Sequence, residues 1–372
     1  MSKRIDNFII RQPDGSVRFS NSLVLGGGLL VTDTAGGIPE LRTGGEVLLA
    51  PSGGEDSGHI QTALDTPGVS RVRLAPGSYQ VLAPITLHDG QVLVGSGPEL
   101  TILNANVPIA TLTLGEVDSG VESLSIVGAG ISILGSGSNL RVVDVHTLYA
   151  DEAIVLTGDR MLVSRCRLIS TGGGDAIHLA GGEQNTVTDV SIDGADGAGL
   201  HFSGSDCVRV AGATIRNCGV GIVHTDGSAH SYTAVRISTC PQAMQMTTCG
   251  SVSLTGVQAA ECDSGFSFTA IDDLSVAACS LTHGSNNALV LNNCHDVTVS
   301  AFHADLSNGG ATPQVTVSGG STLVFFSSIN RVVGSFAGPY ELDVSGAGGR
   351  VLFAQQNFTP GKINSGGKFV AL

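Results

Sequence analysis

A triplet of alternating character recurs through the middle of the chain, and no other feature limits the fold so strongly. Ile154-Val155-Leu156, Ile177-His178-Leu179, Leu200-His201-Phe202, Ile222-Val223-His224, Met244-Gln245-Met246, Phe266-Ser267-Phe268, Leu289-Val290-Leu291 and Val315-Thr316-Val317 begin 23, 23, 22, 22, 22, 23 and 26 residues apart. A fixed period in the low twenties marks a repeat architecture, in which each unit buries its apolar face against the next. Within a triplet the first and third residues point inward and the middle one outward, the period of a short strand with one buried side.

A second strand precedes each triplet: Met161–Leu168, Thr186–Ile192, Val208–Ile215, Val252–Ala259, Leu274–Leu281 and Val297–Ala304. Turns such as Ser170-Thr171-Gly172-Gly173-Gly174 and Asp193-Gly194-Ala195-Asp196-Gly197 lie between the strands, built from the residues that reverse a chain cheaply. No amphipathic run long enough for a crossover helix interrupts the coils, which excludes parallel strands joined by helices. The pattern predicts an all-β, right-handed parallel β-helix, a solenoid of roughly 22-residue coils stacked at about 4.8 Å. With 52 Gly, no Trp and 13% charged residues, the composition suits a narrow shaft filled by aliphatic and small side chains. Such a shaft grows along one axis, so one elongated body is expected rather than several compact domains.

The formal net charge of -14 offers no basic stripe for nucleic acid. No run is apolar enough to insert in a membrane, and the first residues lack an apolar secretory core, so the expectation is synthesis in a bacterial cytoplasm without a signal peptide. The eight cysteines form no C-x-x-C pair, which argues against a zinc knuckle. Cys166 and Cys279 fall in an inward column with Val190, Ala213, Val257 and Phe302, while Cys218, Cys240 and Cys262 stand 22 residues apart. Buried or turn-lining free thiols are expected. No cofactor and no metal is expected, since no aligned Asp/Glu cluster suggests calcium.

In chain order, residues 1–50 do not share the period and read as an attachment or oligomerisation segment with short strands at Asn7–Ile10, Ser16–Phe19 and Ser22–Leu25. Residues 51–320 are read as the β-helix, with a capping helix near 55–66. Glu55 to Asp65 has the apolar face Ile60, Ala63 and Leu64, with acidic residues at its start, where the helix dipole favours them. Residues 321–372, where the period loosens, are read as C-terminal strands and a tail carrying Phe358, Phe369 and Val370. The order of an acidic D-x-x-x-I-Q-x-A-L-D helix (Asp56 to Asp65), a P-G-x-Y turn (Pro76 to Tyr79), and then Ile85-Thr86-Leu87, Leu93-Val94-Gly95-Ser96-Gly97 and Thr101-Ile102-Leu103 resembles the opening of pectate-lyase-like β-helix proteins, and especially bacteriophage tailspikes. The resemblance implies the pectin-lyase fold, a helix plugging the open end of the solenoid, and a homotrimeric spike. It says little about chemistry, because this scaffold hosts lyases, hydrolases, epimerases and silent adhesins.

Function has to be sought among the outward side chains. Aligned by the triplets, Glu152 and Asp175 share a turn position on neighbouring coils, and His178 and His201 share the central outward column. Together they are the candidate catalytic patch, with Tyr149, Asp151, Asp193 and Asp196 at the same turn level as substrate contacts. Two carboxylates a rung apart can divide into acid and base for glycoside hydrolysis, and a histidine can serve as base in a lyase. Solvated acidic turns and ordinary stacked histidines are the plain alternative. Arg165 and Arg167, flanked by Asp144, Asp189 and His146, read as a surface ladder of ion pairs, or as a glycan groove. His224 takes an inward place beside Ile222; a satisfied interior histidine or a local bulge is the plain reading, a ligand role the other. Family motifs are incomplete: Gly174-Asp175-Ala176-Ile177 is similar to the G-D-D-x-I turn of polygalacturonases but lacks the second Asp, and Gly-His-Gly, Arg-Ile-Lys and the pectate lyase R-x-P-x-x-R are missing. Two functions follow: a spike of a phage or phage-like particle that grips cell-surface polysaccharide extracellularly, joined to other particle proteins through residues 1–50, or a polysaccharide depolymerase.

Overall fold

The computed structural model describes residues 45–305 apart from 106–109 and 171, residues 315–321, and short strands on either side of these. It is a β-solenoid whose coils pair in parallel. Ile154, Ile177, Leu200, Ile222, Met244, Phe266, Leu289 and Val315 are successive register partners, and Ile85, Leu112 and Ile133 extend the same file upstream. These side chains are fully buried. In a parallel ladder each inward residue sits on its equivalent one rung away, so conserving the period stacks the apolar positions into a continuous column.

Several coils hold three strands where the sequence suggests two, such as Ser251–Thr255, Gln258–Ala260 and Ser264–Thr269, whereas Gly120–Ser138 and Arg141–Asp159 each run on as one strand around the coil. The run Met161–Leu168 divides into Leu162–Ser164 and Arg167–Ser170, broken at Arg165, whose φ is 53°. The same left-handed bend recurs at Asp144, Asp189, Gly212, Ala234, Gly256, Ala278 and Ala301. Holding an L-residue there costs about 1 kcal/mol or more, which the ladders on both sides offset. The bend is hidden in the sequence because Cys166 and Leu168 behind it resume the inward alternation. It also explains the charged column: Asp144, Arg165 and Asp189 are corner residues. Among the described residues no ion pair joins Arg165 to either aspartate, and Asp144 instead accepts a 3.0 Å hydrogen bond from the Ser123 hydroxyl.

The plug is α1 (Ser57–Leu64), which buries Ile60, Ala63 and Leu64. Its acidic residues precede the first turn instead of occupying it. Glu55 accepts from the Ser57 N–H at 2.7 Å, and Asp56, almost wholly buried, accepts from the Ser52 and Gln80 N–H groups, so it ties the cap to the strand Gly77–Val81. Tyr79 of the P-G-x-Y turn donates to the Leu49 or Ala75 carbonyl, each 2.9 Å away. The first parallel rung begins at Glu46–Leu49, paired with Arg71–Leu74, and the antiparallel strands Leu23–Leu25, Leu29–Thr32 and Glu40–Thr43 lead into it. Beyond position 320 the ladder continues, with Val297, Val324, Val351 and Phe369 in register. The side chains of Phe358, Phe369 and Val370 lie outside the described residues. The eight thiols are free, and seven of them are buried.

Candidate functional site

The outward column of the triplet strands runs Thr113, Leu134, Val155, His178, His201, Val223 and Gln245. Because His178 and His201 are direct register partners, the parallel ladder lays one imidazole on the other, with centroids 4.4 Å apart and planes 5° from parallel. Asp175, from the turn before the His178 strand, reaches forward one coil: its Oδ2 lies 2.6 Å from His201 Nδ1 and its Oδ1 accepts from the Ala198 N–H at 2.6 Å. His178 Nε2 is 3.1 Å from Ser203 Oγ. Two glycines make this packing possible. A Cβ on Gly197 would stand 2.5 Å from Asp175 Oδ1, and one on Gly174 would stand 2.3 Å from Glu152 Cγ.

The carboxyls are driven apart electrostatically. Burial raises Glu152, and the negative charges of Asp175 and Asp151 raise it further, so it keeps its proton to higher pH than a free carboxyl does. Burial pushes Asp175 upward too, but the hydrogen bonds from His201 and from the Ala198 N–H, with the charges of both imidazoles, outweigh it and hold Asp175 below its ordinary range. His178 is lowered, by burial first and then by His201, against the pull of Asp175, so it gives up its proton more readily than a free imidazole. With Nδ1–H directed at the Asp175 carboxylate, His201 has Nε2 free as a base, the orientation that a buried carboxylate confers on imidazole in acid–base catalysis.

The remaining candidates divide. Tyr149 is exposed at a left-handed position with φ 63°. Asp151 is exposed beside Gly172, and Asp196 is exposed one coil past Gly172, two from Asp151. Asp193 belongs to the neighbouring face, where it accepts from Arg216 and Asn217 at 2.7 Å each; the Asn217 and Arg216 hydrogen bonds, with the charges of Arg216 and Arg167, lower its pKa. Arg167 lines a shallow hollow of about 120 Å³ with His146, Thr147, Leu148 and Ile169, and Arg165 stands at its corner. Among the described residues no hydrogen bond or ion pair joins this face to the Asp175–His201 pair. Ser203, Gly174 and Gly197 are members that sequence reading passed over; Ser203 had a signal, since it lies two residues after His201 and so on the same side of the strand.

A groove of about 730 Å³ lies a few coils upstream, where Thr113, Leu134, Ser136, Gly137, Glu116 and Asp159 line it. Thr113 and Leu134 are in the same outward column as the histidines, so the groove and the imidazole stack share one face of one sheet. Ligand atoms of Asp175, His178 and His201 lie within 4.8 Å of one another, a donor set suited to a divalent transition ion, although an ion would displace the proton shared by Asp175 and His201.

The sequence profile of the rhamnogalacturonase A/epimerase, pectate lyase-like family matches residues 53–245. The chain belongs to this family. No curated protein matches it in sequence. Among solved structures, this family member is similar to the catalytic unit of the thermostable GH87 α-1,3-glucanase from Streptomyces thermodiastaticus strain HF3-3, with a TM-score of 0.60 and 14% identity over 85% of this chain and 66% of that one. It is also similar to DFA-IIIase from Arthrobacter chlorophenolicus A6 in complex with GF2, with a TM-score of 0.60 and 13% identity over 84% and 91% of the two chains. At such identities the likeness is one of fold.

Proposed function

We propose that this chain cleaves a polysaccharide laid along the outward column of its triplet strands, with Glu152 as acid and the Asp175–His201 pair as base. The observation that carries the reading is the Asp175–His201 hydrogen bond of 2.6 Å, set beside a carboxyl that keeps its proton to higher pH than a free one does. The groove over Leu134 and Ser136 gives the sugar chain a bed on the same face, and the family profile and the α-1,3-glucanase are named for enzymes acting on sugars. In hydrolysis, water attacks the anomeric carbon as it loses a proton to His201 Nε2; the glycosidic C–O bond breaks, and the leaving oxygen takes the proton of Glu152. Both oxygens of Asp175 are engaged, which disfavours it as a covalent nucleophile and favours an inverting route. Removal of a sugar C–H proton by His201, followed by elimination, would make the same residues a lyase.

A second reading is a non-catalytic spike gripping cell-surface polysaccharide on a phage or phage-like particle, homotrimeric and attached through residues 1–50. What favours it is Ala176: where the polygalacturonase turn has its second aspartate, this chain has a wholly buried methyl group. Incubation with capsular, O-antigen and plant-type polysaccharides, following reducing ends and the ultraviolet absorbance of unsaturated ends, separates the readings. Reducing ends alone indicate a hydrolase, both signals a lyase, and binding without fragments the spike. Cleavage undiminished in both Glu152→Gln and His201→Asn would sink the assignment of the site.

A further inference from the structure

On the inner side of the same sheet, one residue along from the outward column, the file Phe202, His224, Met246 carries an imidazole into the shaft. His224 is 0% exposed, and its Nδ1 is hydrogen-bonded to Tyr232 Oη at 2.5 Å, which leaves Nε2 facing the interior. The His230 ring lies 3.8 Å from it, centroid to centroid, tilted by 44°. His230 is 2% exposed. His224 Nε2, His230 Nδ1 and His230 Nε2 are all buried with no partner at hydrogen-bonding geometry; the backbone of Ser205 and Asp226 lies near enough to His224, and that of Gly227 to His230, to favour a proton on the rings. Cys249, stacked on Gly227 and 2% exposed, completes the group, its thiol making only a 3.5 Å contact with the Thr247 carbonyl. One ligand atom from each of the three residues lies within 4.8 Å of the other two.

Buried polar atoms normally find partners, and two imidazoles that each bring an unpartnered nitrogen to within 4.8 Å of a thiol form a set of converging lone pairs. We propose that His224, His230 and Cys249 form an interior three-coordinate site for a thiophilic d10 metal ion, of which Cu(I) fits best. Two neutral imidazoles and one thiolate are ligands that Cu(I) and Zn(II) share. Charge separates the two ions. Cu(I) with one thiolate is neutral overall, whereas Zn(II) would leave a net positive charge among Phe202, Met246 and other apolar side chains, where burying charge is costly. Among the described residues the group has no fourth His, Cys, Asp or Glu donor, which Cu(I) does not require. On binding, the Cys249 S–H bond gives its proton to solvent and the S–Cu bond forms, with no change of oxidation state. Tyr232 fixes the ring of His224, as outer-sphere partners of metal-bound histidine do, and the Asp206 and Asp226 carboxylates add an attractive field near His230 and Cys249. This site is independent of the proposed cleavage, since it lies on the opposite side of the strand.

The test uses the full chain, prepared metal-free under reducing conditions and titrated with Cu(I) held by bicinchoninate. One equivalent should transfer, with an ultraviolet thiolate-to-copper band and a higher melting temperature. C249S, close to the original in shape, should bind at least a hundredfold more weakly, and H230Q should do likewise; H230Q also serves if C249S does not fold. Absence of transfer overturns the proposal, as does binding that survives in C249S but disappears in C240S, because the ion then sits on the Cys218, Cys240, Cys262 file. A single equivalent of Zn(II) bound in preference to Cu(I) and lost in C249S would overturn the choice of ion.

Discussion

Two histidine pairs of this solenoid, whose members His201 and His224 stand on neighbouring rungs one strand position apart, meet opposite fates. His178 and His201 stack on the outside, half-buried, one held by Ser203 and the other by Asp175. His224 and His230 lie inside, with three of their four ring nitrogens unpartnered. His201 and Phe202 pair with Val223 and His224 across one rung, so exchanging which place of the triplet holds the imidazole moves it from wet face to core. The same ring is thereby a candidate base in one place and a neutral donor sealed from water in the other. Face, set by a period of two, governs histidine chemistry here more than residue type does.

The sharpest way to break this contrast is acid. Burial, and then His230, holds His224 down to about 3, so as pH falls below the ordinary histidine value the unfolded chain binds the proton first. The stability contributed by neutral His224 is complete above about pH 6.5 and is lost progressively toward pH 3, a difference on the order of 5 kcal/mol. Urea unfolding of metal-free protein at pH 7 and pH 4 should show this loss, and His224→Phe should flatten it. Next in size, Asp175→Asn should slow cleavage by about 10²- to 10⁴-fold, the usual worth of positioned acid–base catalysis, as measured by initial release of reducing ends. Since Glu152 is raised, the rate should also decline as pH rises, at a higher pH than for a free carboxyl, and Glu152→Gln should remove that limb with most of the rate. Gly197→Ala forces a methyl group against Asp175 Oδ1 and should cost about 1–3 kcal/mol of stability and part of the activity; an unchanged melting temperature and rate would show that the glycine is not needed for the carboxylate's placement. Smallest, Gln245→Ala, in the same outward column but exposed beyond the histidines, should leave unfolding within about 0.5 kcal/mol of the parent.

The stacking of Ile154, Ile177 and Leu200, and with it the closeness of His178 to His201, was legible from spacing alone, because a parallel ladder converts equal spacing into contact. The corner at Arg165 was not. A left-handed residue leaves no trace in hydropathy when the inward alternation resumes at once behind it, and three strands then read as two. The Asp175–His201 bond was half legible: the turn and the strand were each placed, but a reach of one coil and three residues depends on how the Gly197 turn folds back. For His224 the inward position could be read, whereas His230 comes in from beyond the corner at Asp226 to Ala229 and Cys249 from the next coil, stacked on Gly227.

The period and alternation written into the residues settled the architecture, the order of the core column and the outward face of His178 and His201, since those follow from strand geometry and burial. Which groups touch across corners and through the interior was decided only by the folded coils. Such contacts depend on backbone bends and cross-sectional packing, which have no period to read: Asp175 with His201 and Ala198, Arg216 with Asp193, and His224 with His230 and Cys249.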